Sequence, residues 1–174
     1  TVDLDTFYLE RGVWAQDLLN PTLQTFSARD FRLGDVDVAV FLRGNFNSFP
    51  NIFISDVYGL QGIGSTSLTL NPGANISLSE NIDASGTEHW YDGAGFRPIG
   101  DSSNPYQGTF DGQDFSITGL TILTTNKNTG LFGYTDSASI HNVELMDADI
   151  SSAPPSQAKP FDRRRDDGRA SPFP

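Results

Sequence analysis

Cysteine is absent from this 174-residue chain. That excludes disulfides, thiol catalysis, Cys-ligated zinc and iron–sulfur clusters. Small secreted domains often depend on disulfides, but a stack of repeats is stabilised by neighbour packing and does without them. Long apolar runs are missing too: nothing approaches about 18 uninterrupted apolar residues, so no membrane span is expected. Basic residues are scarce, with 11 Lys and Arg against 22 Asp and Glu and a net charge of −11. Up to Ala158 there are 19 acidic and six basic residues (−13), and Lys159 to Pro174 adds five basic and three acidic (+2). An acidic body lacks the positive stripe that phosphate binding needs, so no nucleic-acid partner is expected. The chain opens on Thr1 with no initiator Met and no apolar leader, so the expectation is a processed chain or a fragment, the fragment being favoured. Gly-x-Ser-x-Gly is absent, and Ser65 in Gly64-Ser65-Thr66 lacks that frame.

The chain does hold 17 Gly, 10 Pro and 13 Phe: many turns, and aromatic bulk for an elongated core. From Tyr106 to Ile150 one pattern occurs twice. Gly108-Thr109-Phe110-Asp111-Gly112 is followed by Ile117, Leu120 and Ile122. Gly130-Leu131-Phe132-Gly133-Tyr134 is followed by Ile140, Val143 and Leu145. The Gly and Phe positions are 22 apart (130−108, 132−110) and the aliphatic positions 23 apart (140−117, 143−120, 145−122). A period of roughly 20 residues or more signals stacked repeats. On this register Phe110 stacks with Phe132, and Ile117/Ile140, Leu120/Val143 and Ile122/Leu145 form inward ladders. Each buried side chain would contribute roughly 1.5–3 kcal/mol before entropy.

Elsewhere Val36, Val38 and Val40 alternate with Asp35, Asp37 and Ala39, a strand signal. Asn20-Pro21 reads as a turn. Val57, Leu60 and Ile63 suggest a short helical turn among three glycines. Leu68 and Leu70 alternate with Ser67 and Thr69 and lead, through Asn71-Pro72-Gly73, into an irregular rung. Thr87 to Asp101 reads as an excursion that returns to the stack at Phe96-Arg97-Pro98-Ile99-Gly100. After Ile150 five prolines and Arg163-Arg164-Arg165 mark a segment too polar to fold, a linker or a frame change. The expected organisation is 1–55, an irregular β unit; 56–150, the repeat rungs; and 151–174, a disordered tail.

Asn81-Ile82-Asp83-Ala84-Ser85-Gly86, Trp90, Gly95-Phe96-Arg97-Pro98-Ile99-Gly100, Gly108-Thr109-Phe110-Asp111-Gly112, Ile117-Thr118-Gly119-Leu120 and Gly130-Leu131-Phe132-Gly133 together resemble the GLUG-type repeats of filamentous-haemagglutinin-like bacterial adhesins. The resemblance covers roughly Asp56 to Ile150. It implies an all-β fold, a right-handed parallel β-helix or β-solenoid segment of a protein that is secreted or held at the bacterial cell surface. It further implies a glycan or surface receptor as partner, and it brings no catalytic residues.

The residues themselves offer three chemistries. Trp90, Tyr91 and Tyr106, with His89, would make a carbohydrate platform, against the plainer reading that the aromatic rings cap the stack. Asp111 and Asp114 are the carboxylate pair of an alternative polysaccharide-active enzyme, although Asp111-Gly112 is also a turn motif. Asp83, Asp92, Asp101 and Asp111 lie in loops and offer oxygen ligands to calcium, without an EF-hand or nonapeptide repeat. His141, between Ile140 and Asn142, reads as a surface histidine. No other cofactor is implied.

Overall fold

In the computed structural model, residues 2–18, 25–125 and 127–152 are described. The expected turn at Asn20-Pro21 and nearly all of the expected tail lie outside them. The first pass of the chain is β1 (Val2–Leu9) and β2 (Gly12–Asp17). The second is β3 (Phe26–Leu33) and β4 (Ala39–Ser48), and β4 turns back antiparallel into β5 (Asn51–Ile54). Two short helices follow, α1 (Val57–Gly62) and α2 (Ser67–Leu70). Next come β6 (Asn75–Leu78), β7 (Ile82–Asp83) and a 3-10 segment over Ser85–Gly93. The last two passes are β8 (Thr109–Asp111), β9 (Ser116–Thr118) and β10 (Thr121–Thr124), then β11 (Ser139–His141), β12 (Glu144–Met146) and β13 (Asp149–Ser152). The fold is mostly β, with little helix.

Pairing between passes is parallel. β1 lies on β3, with Val2 opposite Phe26, Phe7 opposite Phe31 and Leu9 opposite Leu33. β2 lies on β4, with Val13 opposite Val40 and Trp14 opposite Phe41. Ile52, Ile76, Phe110 and Ile140 form one ladder through β5, β6, β8 and β11. Ile82, Ile117 and Leu145 form a second, and Ile122 with Ile150 a third. Period-two alternation turns these positions inward, and one hydrophobic cluster runs without a break from Phe26 to Leu131.

The sequence register is therefore corrected. Ile140 faces Phe110 rather than Ile117, Leu145 faces Ile117 rather than Ile122, and Ile122 faces Ile150. The true offsets are 30 (140−110) and 28 (145−117, 150−122). The cause is that Gly-x-Phe occurs at two different places in a pass. Gly108-Thr109-Phe110 enters a strand, whereas Gly130-Leu131-Phe132-Gly133 is a corner, and its Leu131-Phe132-Gly133 lies opposite Pro98-Ile99-Gly100. Ile99 bridges Phe132 in parallel, and Ile99 and Gly133 N–H groups bond to Leu131 and Ile99 carbonyls. Phe110 and Phe132 do touch, edge to face at 5.2 Å between centroids, as neighbours at a corner.

Two local expectations also change. Asp35 to Asp37 forms a turn, with Asp37 at φ 60°, and the strand starts only at Ala39. The Asp37 carboxylate accepts from the Thr66 hydroxyl and the Ser67 N–H, which local alternation does not foresee. Ser67–Leu70 is helical, because Thr66 caps it through the Leu68 N–H. The helical turn at Val57 forms as expected, capped by Asp56 on the Gly59 N–H.

Candidate functional site

A cleft of about 290 Å³ opens where β1 and β3 meet the Ser85–Gly93 segment. Asp5 and Thr6 come from β1, Arg29 and Asp30 from β3, and Glu88, His89, Asp92 and Gly93 from the segment. The register of β1 on β3 places Asp5 beside Arg29, 3.5 Å apart in an exposed pair. Four carboxylates against two arginines, Arg29 in the lining and Arg32 on Asp30 and Asp92, leave the cleft acidic. Glu88 and His89 stand 3.4 Å apart and are more than half exposed.

The cleft wall is held from behind. Asp30 accepts the Tyr91 N–H at 2.9 Å and is bridged by the Arg32 guanidinium, which also reaches Asp92 at 2.6 Å. The Asp30 carboxylate, and then Asp92, hold Arg32 charged well beyond the usual arginine range. Tyr91, Asp92 and Gly93 take successive positive φ angles of 51°, 57° and 87°, reversing the chain at the cleft edge. The Tyr91 hydroxyl accepts the Leu33 N–H at 2.9 Å, and burial pushes its pKa up. Arg97 lies 4.9 Å over the Tyr91 ring and donates to the carbonyls of Leu33 and Gly34. The segment is thus fixed to β3 from both sides, while Glu88 and His89 remain available to a ligand.

Only part of the sequence-based site assembles. His89 and Asp92 line the cleft. Trp90 and Tyr106 are completely buried and cannot offer a ring face to a sugar. Trp90 packs between Phe31, Tyr58 and Phe96, and Tyr106 against Phe132. Tyr91 is half-buried beneath Arg97. The aromatic platform is therefore not a surface, because the excursion folds its rings into the core. Asp83, Asp101 and Asp111 each accept backbone N–H groups two or three residues on, closing tight turns. Asp92 instead pairs with Arg32. Among the described residues no group of three or more His, Asp or Glu gathers that could hold a metal.

Asp111 is engaged on several sides. It accepts from the Gln113 N–H and the Asn142 side-chain amide at 2.9 Å each, and His141 Nδ1 lies 3.2 Å away. Asp114 follows at φ 59° in the same corner. The pair belongs to a corner that ties one pass to the next. Asp5, Thr6, Arg29 and Asp30 were missed by sequence reasoning. Their signal was the 24-residue offset (26−2, 31−7, 33−9) that puts Arg29 over Asp5.

Comparison with known proteins yields a likeness to a much longer protein. Halomucin of Haloquadratum walsbyi (strain DSM 16790 / HBSQ001) is 32% identical over 127 residues, which is 68% of this chain and 1% of that protein. The chain thus spans about one hundredth of the curated relative it matches. No family model matches the sequence, and no solved structure matches it. No described helix is long and apolar enough to cross a membrane.

Proposed function

We propose that this chain is a length of right-handed parallel β-helix, a β-solenoid stretch of a secreted or cell-surface exoprotein. Its role is to extend and present a binding surface without catalysis. The observation that carries the reading is the parallel register of the Ile52–Ile76–Phe110–Ile140 and Ile82–Ile117–Leu145 ladders. Likeness to a short stretch of a far longer chain supports the same view. The acidic cleft around His89 and Asp92 is the proposed contact point for an adhesive ligand, and its charge favours neutral or cationic glycans over anionic ones. Asp111 is held by its corner bonds, and no observation favours turnover there.

The test is a glycan array combined with a reducing-end assay. Expected are retention of neutral or amino sugars, loss of retention in His89→Ala with Asp92→Ala, and no release of reducing ends. Release of reducing ends that disappears in Asp111→Asn would replace this reading with the polysaccharide-active enzyme.

A further inference from the structure

We infer that the open face of β11, β12 and β13 is the seat of another short-stranded pass, contributed by a longer polypeptide of which this chain is one stretch. The inference rests on the β-solenoid reading and names the partner of one of its faces. Consecutive passes differ sharply at equivalent positions. Phe110 and Ile117 have no exposed surface, whereas Ile140 and Leu145, directly across the ladder, are 40% and 39% exposed. Ile122 is likewise buried and its partner Ile150 only partly so. The difference is one of cover: β8, β9 and β10 have a neighbour on this side.

The backbone points the same way. Ser139 N–H bonds to the Gly108 carbonyl, and the His141 and Met146 carbonyls accept from Gly112 and Gly119. In a parallel ladder alternate residues face alternate neighbours. The N–H and C=O groups of Ile140 and Leu145 therefore project toward the free side. The Asp149 N–H bond to the Leu120 carbonyl places Ile150 in the same phase. Among the described residues these three edges are unpaired, and with inward aliphatic side chains they make a template for strand addition.

Shape and charge select the occupant. The first pass of a second copy would bring strands of eight and six residues onto strands of three, three and four. It would also bring a first pass with Asp3, Asp5, Glu10 and Asp17 against one Arg11 onto a last pass that holds Asp136, Glu144, Asp147 and Asp149 and no Lys or Arg, like charge on like. A short-stranded pass with aliphatic residues at the three inward positions continues the existing interface without either conflict. The match to 1% of halomucin supplies the long-chain setting.

Amide hydrogen exchange tests this on the unsubstituted 174-residue chain and on the longer natural polypeptide that contains it. Expected is slow exchange at Phe110 and Ile117 in both, with Ile140 and Leu145 slowing at least about tenfold only in the longer polypeptide. Ile140 and Leu145 exchanging fast in both, or a reading frame that stops at Pro174, would overturn the inference. Slow exchange in the short chain would also overturn it: protection that grows with concentration names a second copy, and protection lost on ending the chain at Ser152 names residues 153–174. Fast exchange at Phe110 and Ile117 would instead sink the solenoid reading itself.

Discussion

The first two passes and the last two share parallel pairing but are stabilised by different chemistry. β1 through β4 are long, and Phe7, Trp14, Phe26, Phe31 and Phe41 form a continuous aromatic cluster in which centroids lie 5.0 to 6.4 Å apart. β8 through β13 are three or four residues long, carry single apolar residues inward, only one of them aromatic (Phe110), and turn on Asp, Asn and Gly corners. The early region concentrates its burial in a few large rings. The later region distributes it over ladders that are complete only when both neighbours are present. Single substitutions should therefore be costly in the first region and graded by position in the second.

The sharpest break would come at Phe31, which is wholly buried and contacts Phe7, Phe41, Tyr58 and Trp90. Phe31→Ala should cost about 3–5 kcal/mol, read as a fall in the urea midpoint with an unchanged slope. A loss below about 1 kcal/mol would mean that the rings do not act as one cluster.

Corners are the weak points outside the long strands, and Gly95→Ala probes one that packs against β10. Gly95 sits at φ +84°, and an added Cβ would lie 2.2 Å from the Thr121 carbonyl oxygen. The substitution combines backbone strain with a collision against fixed backbone, for about 3 kcal/mol. Gly86→Ala meets nothing within 4 Å and is the matched control, expected to be near neutral.

The two regions also differ in how much of them the sequence reveals. Phe7-x-Leu9 and Phe31-x-Leu33 keep one offset along a whole strand, so the pairing can be found by sliding the chain on itself. Among the short strands the offset runs from 24 at Ile52–Ile76 to 35 at Ile82–Ile117, because corners change length. A local Gly-x-Phe match then outweighs the true, ragged register. That is why the ladders were foreseen in kind but paired wrongly. The site shows the same limit. Turn-forming Asp83, Asp101 and Asp111 look like ligands in sequence, and only the fold shows that backbone N–H groups satisfy them. Trp90 looks like a surface ring because polar residues flank it, and only the packing of Phe31 and Tyr58 reveals it as core.

Where the regions meet, Tyr91→Phe isolates one hydrogen bond. It removes the oxygen that accepts the Leu33 N–H and leaves the ring under Arg97. An unpaired, part-buried donor should cost about 1–2 kcal/mol in thermal or urea unfolding. If the variant matches the parent, solvent has replaced the hydroxyl and the segment is less firmly held to β3 than its geometry implies. Smaller again is Ile140→Ala, about 1 kcal/mol, because 40% of that residue already faces solvent. Phe110→Ala, its partner across the ladder, should cost several times more. Equal losses at the two positions would show that Ile140 is covered in solution.

The smallest effect should come from charge at the Asp111 corner, and its sign is fixed. The Gln113 N–H, then the Asn142 side chain and His141, hold the Asp111 carboxyl below its ordinary value of 3.8. A folded pKa below the unfolded one contributes stability that is complete above the unfolded value and is lost as pH falls through the folded one. Asp111→Asn keeps a carbonyl oxygen for the Gln113 N–H and removes only the charge, so it should melt slightly below the parent near neutral pH. The two curves should converge in acid, once the pH has fallen through the folded value and the parent carboxyl is protonated as well. A gap that persists in acid would mean that the amide disturbs the shape of the corner. A gap that widens in acid would contradict the depressed pKa outright, and with it the claim that this aspartate ties β8 to β11.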